Sequence, residues 1–228
     1  MKKILLASTL ALCVTSAFAA DPTAVLKVKG TLTNAACTPT LGNGGVADYG
    51  TIRLSELSAT EVNQLGQKDI DLSISCSVPT KVAFYVDDDR PNTEAVIEVK
   101  NGDFNGNSVS FSSGVMGLGK TTDGVKIGNY SLFVKTDSIV LDGASGDFIY
   151  GSHLNTSSSP WILKSTGLIS GDGADIFTGA AKGTVEPLAF TNATFPMAVS
   201  TAVQNTATLA ITDDTDLDGQ ATLSLFYL

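Results

Sequence analysis

The sequence is poor in the side chains that most often carry out catalysis. It has one His and three Cys among 228 residues, and its 14 Lys and Arg are outnumbered by 23 Asp and Glu. Because histidine is the usual general base and the commonest metal ligand, a single one leaves few enzyme mechanisms open. The net charge of −9, without a basic cluster, disfavours nucleic acid and acidic membranes as partners. We therefore expect neither an enzyme nor a cofactor.

The first 19 residues have the pattern of a secretory signal peptide. Residues 1–3 are positively charged at Lys2 and Lys3, residues 4–14 are an apolar run, and residues 17–19 read Ala-Phe-Ala, a small-x-small cleavage site. The run is too short for a permanent transmembrane helix. We predict export through the Sec pathway to the periplasm. Cleavage after Ala19 removes two lysines and so changes the net charge from −9 to −11.

The cysteines that remain after this cleavage are Cys37 and Cys76. Two cysteines in an exported chain predict one disulfide. There is no C-x-x-C redox motif, and two cysteines with one distant histidine make a poor zinc set. Cys13, inside the leader, is interpreted as a small apolar residue, because Leu12 before it is too large for lipoprotein processing.

Alternating apolar and polar residues predict short strands throughout the chain. Residues 70–76 place Ile70, Leu72, Ile74 and Cys76 on one face. Further strands are predicted within residues 24–33, 81–86, 130–134, 138–141, 161–164, 194–199 and 221–228, each bounded by Gly, Asn, Asp or Pro. This arrangement is typical of an all-β, antiparallel sandwich or barrel.

Two stretches predict something other than a strand. Ser58 and Glu61 have the spacing of a capping box, which predicts one short helix through Gln64. Residues 143–186 are rich in Gly, Ser, Ala and Asp, and we interpret them as long loops between weak strands.

Several segments together resemble the pilin subunits of the bacterial chaperone–usher pathway. They are residues 28–37 (Val-Lys-Gly-Thr-Leu-Thr-Asn-Ala-Ala-Cys), residues 48–52 (Asp-Tyr-Gly-Thr-Ile), residues 70–76 (Ile-Asp-Leu-Ser-Ile-Ser-Cys) and the alternating C-terminal strand with its penultimate Tyr227. The likeness covers residues 24–86 and 187–228. Within the longer middle, residues 117–130 resemble an uncharacterised fimbrial-like family of secreted bacterial proteins.

The resemblance implies a fold and a function. The fold is an immunoglobulin-like antiparallel β-sandwich of the pilin type, with or without its last strand, over residues 30–228, with insertions in residues 90–186 and an N-terminal extension at residues 20–29. The function is that of a structural or adhesion subunit of a fimbrium, assembled by donor-strand complementation, in which a partner supplies the missing strand. The alternative is a free-standing periplasmic or secreted ligand-binding β-sandwich.

The same resemblance implies partners. They are a periplasmic pilus chaperone, an outer-membrane usher and neighbouring fimbrial subunits, with no nucleic acid and no membrane insertion. The chain would pass through the periplasm to the fimbrium at the cell surface, or remain in the periplasm if it is not assembled.

Two sets of site residues follow from the resemblance. The chaperone-binding C-terminal strand comprises Ala221, Leu223, Leu225, Tyr227 and Leu228. The same alternation also fits the ordinary last strand of a complete sandwich. The possible donor strand comprises Ala20, Pro22, Ala24, Leu26 and Val28. That segment fits the first strand of its own domain equally well.

The remaining candidate is a weak calcium site. Asp214, Asp216 and Asp218 precede Gly219 with the spacing of a calcium loop. The twelfth position, which normally supplies a bidentate glutamate, is Leu225. A turn into the last strand explains the same residues, so we expect no metal.

Overall fold

The computed structural model describes residue 28, residues 36–156 and residues 159–228. Ala35–Leu228 forms one compact unit. Its longest α-helix within the described residues, α1, is the four-residue turn Thr206–Leu209. None of the described helices has the length and hydropathy needed to cross a membrane.

Twelve strands provide most of the regular secondary structure of the described residues. They are β1 Cys37–Leu41, β2 Asn63–Thr80, β3 Val82–Asp88, β4 Met116–Gly117, β5 Gly128–Val134, β6 Val140–Leu141, β7 Ala144–Ser152, β8 Ile162–Leu163, β9 Leu168–Ile169, β10 Asp175–Ala181, β11 Phe190–Val203 and β12 Ala221–Tyr227. Short 3₁₀ turns lie at Gly42–Gly45, Leu54–Glu56 and Ser112–Gly114.

The strands form one antiparallel sheet that folds over on itself. Its order is β1-β2-β11-β6-β7-β10-β3-β12, and β5 also pairs with β11, with β4 and β9 beside β5. One layer is centred on β2 and β11, the other on β10 and β3, and the β6–β7 hairpin joins them. The predicted all-β antiparallel sandwich is confirmed.

The core lies between the two layers. Phe84 packs against Phe148, Phe177 and Phe195, with ring centroids 6.3, 5.8 and 5.4 Å away. On β2, the predicted face of Ile70, Leu72, Ile74 and Cys76 is buried, and the residues between them are exposed. The period of two predicted from the sequence therefore matches the observed burial.

The middle of the chain covers the outer face of the first layer. Val99, Val109 and Val115 form a second apolar cluster with Ala202 of β11. The buried Asn129 side chain accepts the Ile97 N–H (3.0 Å) and donates to the Ile97 carbonyl (3.1 Å), which fastens this segment to β5. The insertion is thus packed onto the sandwich.

The prediction of long loops over residues 143–186 is wrong. β7 and β10 lie in this stretch and pair along seven residues. Their glycines are there for a steric reason. A Cβ on Gly146 or Gly179 would lie 2.8 or 2.7 Å from the Leu141 side chain, so the two strands leave space for one leucine. Gly151 similarly lets Trp161 pack flat on β7, 3.3 Å from where a Cβ would stand.

The predicted helix from Ser58 through Gln64 is also wrong. The Ser58 hydroxyl does accept the N–H groups of Thr60 and Glu61, at 3.2 and 3.0 Å. The chain then enters β2 at Asn63, whose side chain bonds both the N–H and the carbonyl of Ser58. Pairing of β2 with β11 from Asn63 onward prevails over the local capping signal.

Candidate functional site

The sheet ends at β12 in the described part of the chain, where β12 pairs with β3 on one side. Asp89 donates its N–H to the Gln220 carbonyl (2.9 Å), and Leu228 donates to the Lys81 carbonyl (3.1 Å). In an antiparallel pair, residues whose backbone is hydrogen-bonded to the partner strand alternate with residues whose backbone points away from it. The residues of β12 between Gln220 and Leu228 therefore divide into these two sets. The backbone groups that point away from β3 belong to Ala221, Leu223, Leu225 and Tyr227.

The side chains of this set face the space between the layers. Ala221, Leu223 and Leu225 are partly buried and pack on the core, and Tyr227 is half exposed. Leu228 differs from the other predicted residues, because its N–H donates to the carbonyl of Lys81, directly before β3, and its side chain is exposed. Four of the five predicted residues therefore share one edge and one face.

The other end of the sheet, β1, faces β12 across this space. The Ser77 N–H donates to the Ala36 carbonyl (2.9 Å), so the backbone of Cys37 and Pro39 points away from β2. Proline has no N–H, which removes one donor from this edge. The edge of β1 is therefore a poorer hydrogen-bonding partner for an added strand than that of β12.

A disulfide fixes β1 to the first layer. Cys37 and Cys76 lie opposite each other in the β1–β2 register, and their sulfur atoms are bonded. The predicted disulfide is confirmed. Because it joins directly paired residues, it fixes both the position of β1 and its register.

One hydrogen bond connects the two sheet ends. The Cys37 N–H donates to the Tyr227 hydroxyl at 3.0 Å. The tyrosine side chain thus reaches from β12 to β1 beside the disulfide. We call this place, Cys37 with Tyr227, the latched end of the space between the strands.

Further along, the two strands enclose an apolar cavity of about 340 Å³. The lining stops at Leu41 on β1 and at Leu223 on β12. The floor comes from both layers and consists of Ile70, Val86, Leu132, Met197 and Val199. An engineered cavity of about 150 Å³ already holds a benzene molecule, so this cavity has room for two or three apolar side chains.

Tyr49 lies at the far side of this cavity. Its hydroxyl donates towards the Gly66 and Val199 carbonyls, at 3.1 and 3.2 Å, which holds the segment after β1 against the first layer. Burial raises the pKa of the Tyr49 hydroxyl, and a hydrogen bond with Thr201 opposes this only in part. Burial also raises the pKa of the neighbouring Tyr130. Both phenols therefore stay neutral, and the Tyr49 hydroxyl acts as a hydrogen-bond donor.

Leu217 closes the opposite side of the same region. It lines the cavity from the segment that leads into β12. The next residue, Asp218, donates its N–H to the Leu118 carbonyl (3.1 Å) and pairs through both carboxylate oxygens with Arg90, at 2.8 and 2.9 Å. The hydrogen bond from the Arg90 side chain lowers the pKa of the Asp218 carboxyl. We call this place, Tyr49 with Leu217, the cavity end.

The acidic residues nearby anchor backbone and side chains. Burial raises the pKa of Asp88, although its carboxylate accepts the N–H groups of Gly117 and Arg90, both at 2.9 Å. Asp218, one of the three weak calcium candidates, is engaged with Arg90, whereas Asp214 and Asp216 are exposed. Among residues 36–156 and 159–228, no three His, Cys, Asp or Glu side chains gather as metal ligands would.

The single histidine packs on the outer face of the second layer. His153 Nδ1 lies 2.8 Å from the Gly173 carbonyl oxygen. Its ring centroid is 4.3 Å from that of Tyr85 and 5.1 Å from that of Phe226. We call the space between β1 and β12 the cleft. His153 therefore supports the face of β12 that points away from the cleft.

Some site predictions concern residues that the structure does not describe. The leader over residues 1–19 and the donor residues Ala20, Pro22, Ala24 and Leu26 lie outside the described residues, and Val28 is an isolated described position. Sequence reasoning missed Tyr49, Leu217 and the Arg90–Asp218 pair. Only Tyr49 had a signal, since it belongs to the pilin-like segment at residues 48–52.

Comparison with known proteins places the chain in a family. Uncharacterized protein YhcF of Escherichia coli (strain K12) is 30% identical over 225 residues, which cover 93% of each chain. Protein GltF of the same organism is 30% identical over 238 residues, covering 93% of this chain and 92% of GltF. A family model described as "Protein of unknown function (DUF1120)" matches residues 26–131. The chain belongs to the same family as YhcF and GltF.

The region matched by the DUF1120 model includes the β1 side of the cleft and excludes the β12 side. It includes β1, the disulfide, β2, β3 and the first residues of β5, and it ends before β11 and β12. One wall of the cleft therefore lies in the matched region. The β12 wall lies beyond it, within the longer similarity to YhcF and GltF.

Proposed function

We propose that this chain is an exported β-sandwich subunit that is completed by a strand from a partner, added to β12 in the cleft. The observation that carries the proposal is the edge of β12. Its outward-pointing backbone groups, at Ala221, Leu223, Leu225 and Tyr227, belong to the same residues whose side chains border the apolar space. Strand addition uses both features, because the backbone supplies affinity and alternate side chains fill pockets.

An edge of this kind favours a partner for a physical reason. Unpaired N–H and C=O groups beside an apolar surface are a template for another strand and a hazard for aggregation. The edge of β1 is blunted by Pro39, which has no N–H, and by the Tyr227 hydroxyl, which accepts the Cys37 N–H, whereas β12 carries no proline or glycine. β12 is therefore the edge that a partner strand would pair with first.

Under this proposal the chain acts as a fimbrial-type structural or adhesion subunit. The resemblance to pilins supports a periplasmic pilus chaperone as the first donor of a strand and a neighbouring subunit as the second, with an outer-membrane usher between the two steps. The leader-like residues 1–19 support export to the periplasm, from which an assembled subunit reaches the cell surface.

Binding of a small apolar molecule is the second candidate. The cavity volume of about 340 Å³ lies at the lower end of the range of ligand pockets, roughly 300–1,000 Å³. Its lining is mostly aliphatic, with the hydroxyl-bearing Tyr49, Tyr130 and Thr201 among the few polar side chains. Such a protein would be a free-standing periplasmic or secreted binding protein.

Peptide complementation tests the first proposal. A synthetic peptide of residues 20–29 is added to the purified protein, and the midpoint of thermal unfolding is measured. A ligand of the folded state raises that midpoint in proportion to its affinity. We expect stabilisation by this peptide and by its Lys27→Asp variant, and none by its Leu26→Asp variant, because Leu26 would enter the cleft and Lys27 would face outward.

A purified periplasmic pilus chaperone provides a second arm of the experiment. It should form a complex with the unfolded-and-refolded subunit that survives gel filtration. Stabilisation by a small apolar dye, with no response to peptide or chaperone, would instead support the second candidate. A monomer that responds to none of these probes would refute strand addition.

A further inference from the structure

We infer that Tyr227 limits the length of the strand that the cleft accepts, so that a complementing segment inserts only three inward side chains. The inference rests on the proposed function and specifies the segment that the site takes. It starts from the contrast between the two ends of the cleft. At one end the strands are bridged by Tyr227, and at the other they enclose the apolar cavity.

The Tyr227 side chain occupies the path of an added strand. A strand inserted between β12 and β1 needs one strand spacing on each side, about 9.5 Å in total between the two edges. At the latched end this space is crossed by the tyrosine ring, whose hydroxyl accepts the Cys37 N–H at 3.0 Å. An added backbone would have to displace the ring and break this bond.

Both sides of the latch are anchored. Cys37 is fixed to β2 by the disulfide and by the neighbouring Ser77–Ala36 backbone bond. Tyr227 is held between its paired neighbour Val82 on β3 and the bond from Leu228 to the Lys81 carbonyl. Neither side moves away without loss of sheet pairing, so the latch ends the usable length of the cleft.

The remaining length matches a short segment. The cavity runs from Leu41 and Leu223 to Tyr49 and Leu217, and its volume suits two or three apolar side chains. Five extended residues span about 13 Å and direct three side chains to one face. The occupant that we assign is residues 24–28 of a second copy of this chain, which direct Ala24, Leu26 and Val28 to one side.

Two labelled peptides test this inference with the full-length protein. One contains residues 24–28 and the other residues 20–28, and their dissociation constants are measured by fluorescence anisotropy. For the native protein we expect the two constants to agree within about twofold, because Ala20 and Pro22 find no place beyond the latch.

Removal of the Tyr227 side chain should make the affinity depend on the length of the peptide. In Tyr227→Ala, the nine-residue peptide should bind about tenfold more tightly than the five-residue peptide, because two more side chains become buried. Tyr227→Phe keeps the ring and loses only the hydroxyl. The ratio of its two dissociation constants should therefore lie between the ratios of the native protein and of Tyr227→Ala. This variant provides the test if Tyr227→Ala does not fold. Ser224→Ala removes a hydroxyl from the face of β12 that points away from the cleft, and it should leave the native ratio of the two dissociation constants unchanged.

The outcomes separate the inference from the proposed function. Two results would refute the limit that we assign to Tyr227 while leaving strand addition intact. One is a tenfold preference of the native protein for the longer peptide. The other is the same ratio of the two dissociation constants in the native protein and in the Tyr227 variants. If neither peptide binds to the native protein or to any variant, strand addition itself fails, and the inference fails with it.

Discussion

The latched end and the cavity end of the cleft are bordered by the same two strand edges, yet they are closed by different interactions. The latched end has a disulfide and a hydrogen bond between the β1 backbone and the Tyr227 hydroxyl. The cavity end has the half-buried Tyr49 on one side and, on the other, Leu217 beside the solvent-accessible Arg90–Asp218 pair. At the latched end β1 is fixed covalently to β2 and one hydrogen bond joins it to Tyr227, whereas the cavity end has no covalent link.

The difference shows how one sheet can be stable and still accept a partner. If both ends were latched, the apolar floor would be sealed from any strand. If neither were, two unpaired edges would be exposed together, which favours uncontrolled association. Fixing one end and leaving a cavity at the other confines the exposed apolar surface to a defined site.

Loss of the disulfide should have the largest effect on this contrast. In the chain-entropy model, a crosslink over the 39 residues between Cys37 and Cys76 stabilises the fold by about 4 kcal/mol. We expect the Cys37→Ser, Cys76→Ser variant to lose roughly that amount in urea unfolding. The matched control is reduction of the native protein, which should give the same loss. An unchanged free energy of unfolding would show that β1 is held by its backbone pairing alone.

Truncation of leucines on β12 should show the next largest effect. Leu225 lies on the latched side of the lining boundary, whereas Leu223 borders the existing cavity. Leu225→Ala should cost about 2–3 kcal/mol of unfolding free energy, because it creates new empty space. Leu223→Ala should cost about 1 kcal/mol less than that, since it only enlarges a cavity that is already present. Equal losses in urea unfolding would mean that the two halves are packed alike.

The Arg90–Asp218 pair should give the smallest effect, and that effect should depend on pH. Because Arg90 lowers the Asp218 pKa in the fold, the pair stabilises the protein above the unfolded carboxyl pKa of about 3.9, and this contribution is lost as pH falls through the lower folded value. The Asp218 side chain is 61% exposed, so screening by water keeps the contribution small. Arg90→Gln should therefore lower the unfolding temperature at pH 7, and this difference from the native protein should shrink as the pH falls below about 3.9.

A control pair separates this effect from general charge loss. Arg53 and Glu56 form an exposed pair within one short turn, at 3.2 Å. Arg53→Gln should change the unfolding temperature less than Arg90→Gln at pH 7, because its partner lies three residues away and holds no distant segment. A larger effect of Arg53→Gln would contradict the role assigned to the cavity end.

The sequence was sufficient where the information is local or leaves one choice. The alternation at Ile70, Leu72 and Ile74 gives the buried face of β2 directly, and two cysteines in the predicted exported chain allow one pairing. The face of β12 followed from the same period of two. These features depend on residue order alone, and a one-residue shift would reverse them.

The sequence was insufficient where distant residues decide the structure. Arg90 and Asp218 are 128 positions apart, and no local pattern links them. The residues of β7 and β10 predict loops because glycine is rare in strands. Their glycines instead leave space for the Leu141 side chain on a neighbouring strand. Ser58 carries a genuine cap signal that pairing of Asn63 with β11 prevents from becoming a helix.

The contact of Leu141 with Gly146 and Gly179 has an evolutionary consequence. The three positions share one volume, since a methyl group at either glycine would meet the leucine below 3 Å. Among relatives, we expect a larger residue at either glycine position to occur together with a smaller one in place of Leu141. Such covariation would connect the β6–β7 hairpin to β10 and would identify, from sequences alone, the place where the two layers of the sandwich join.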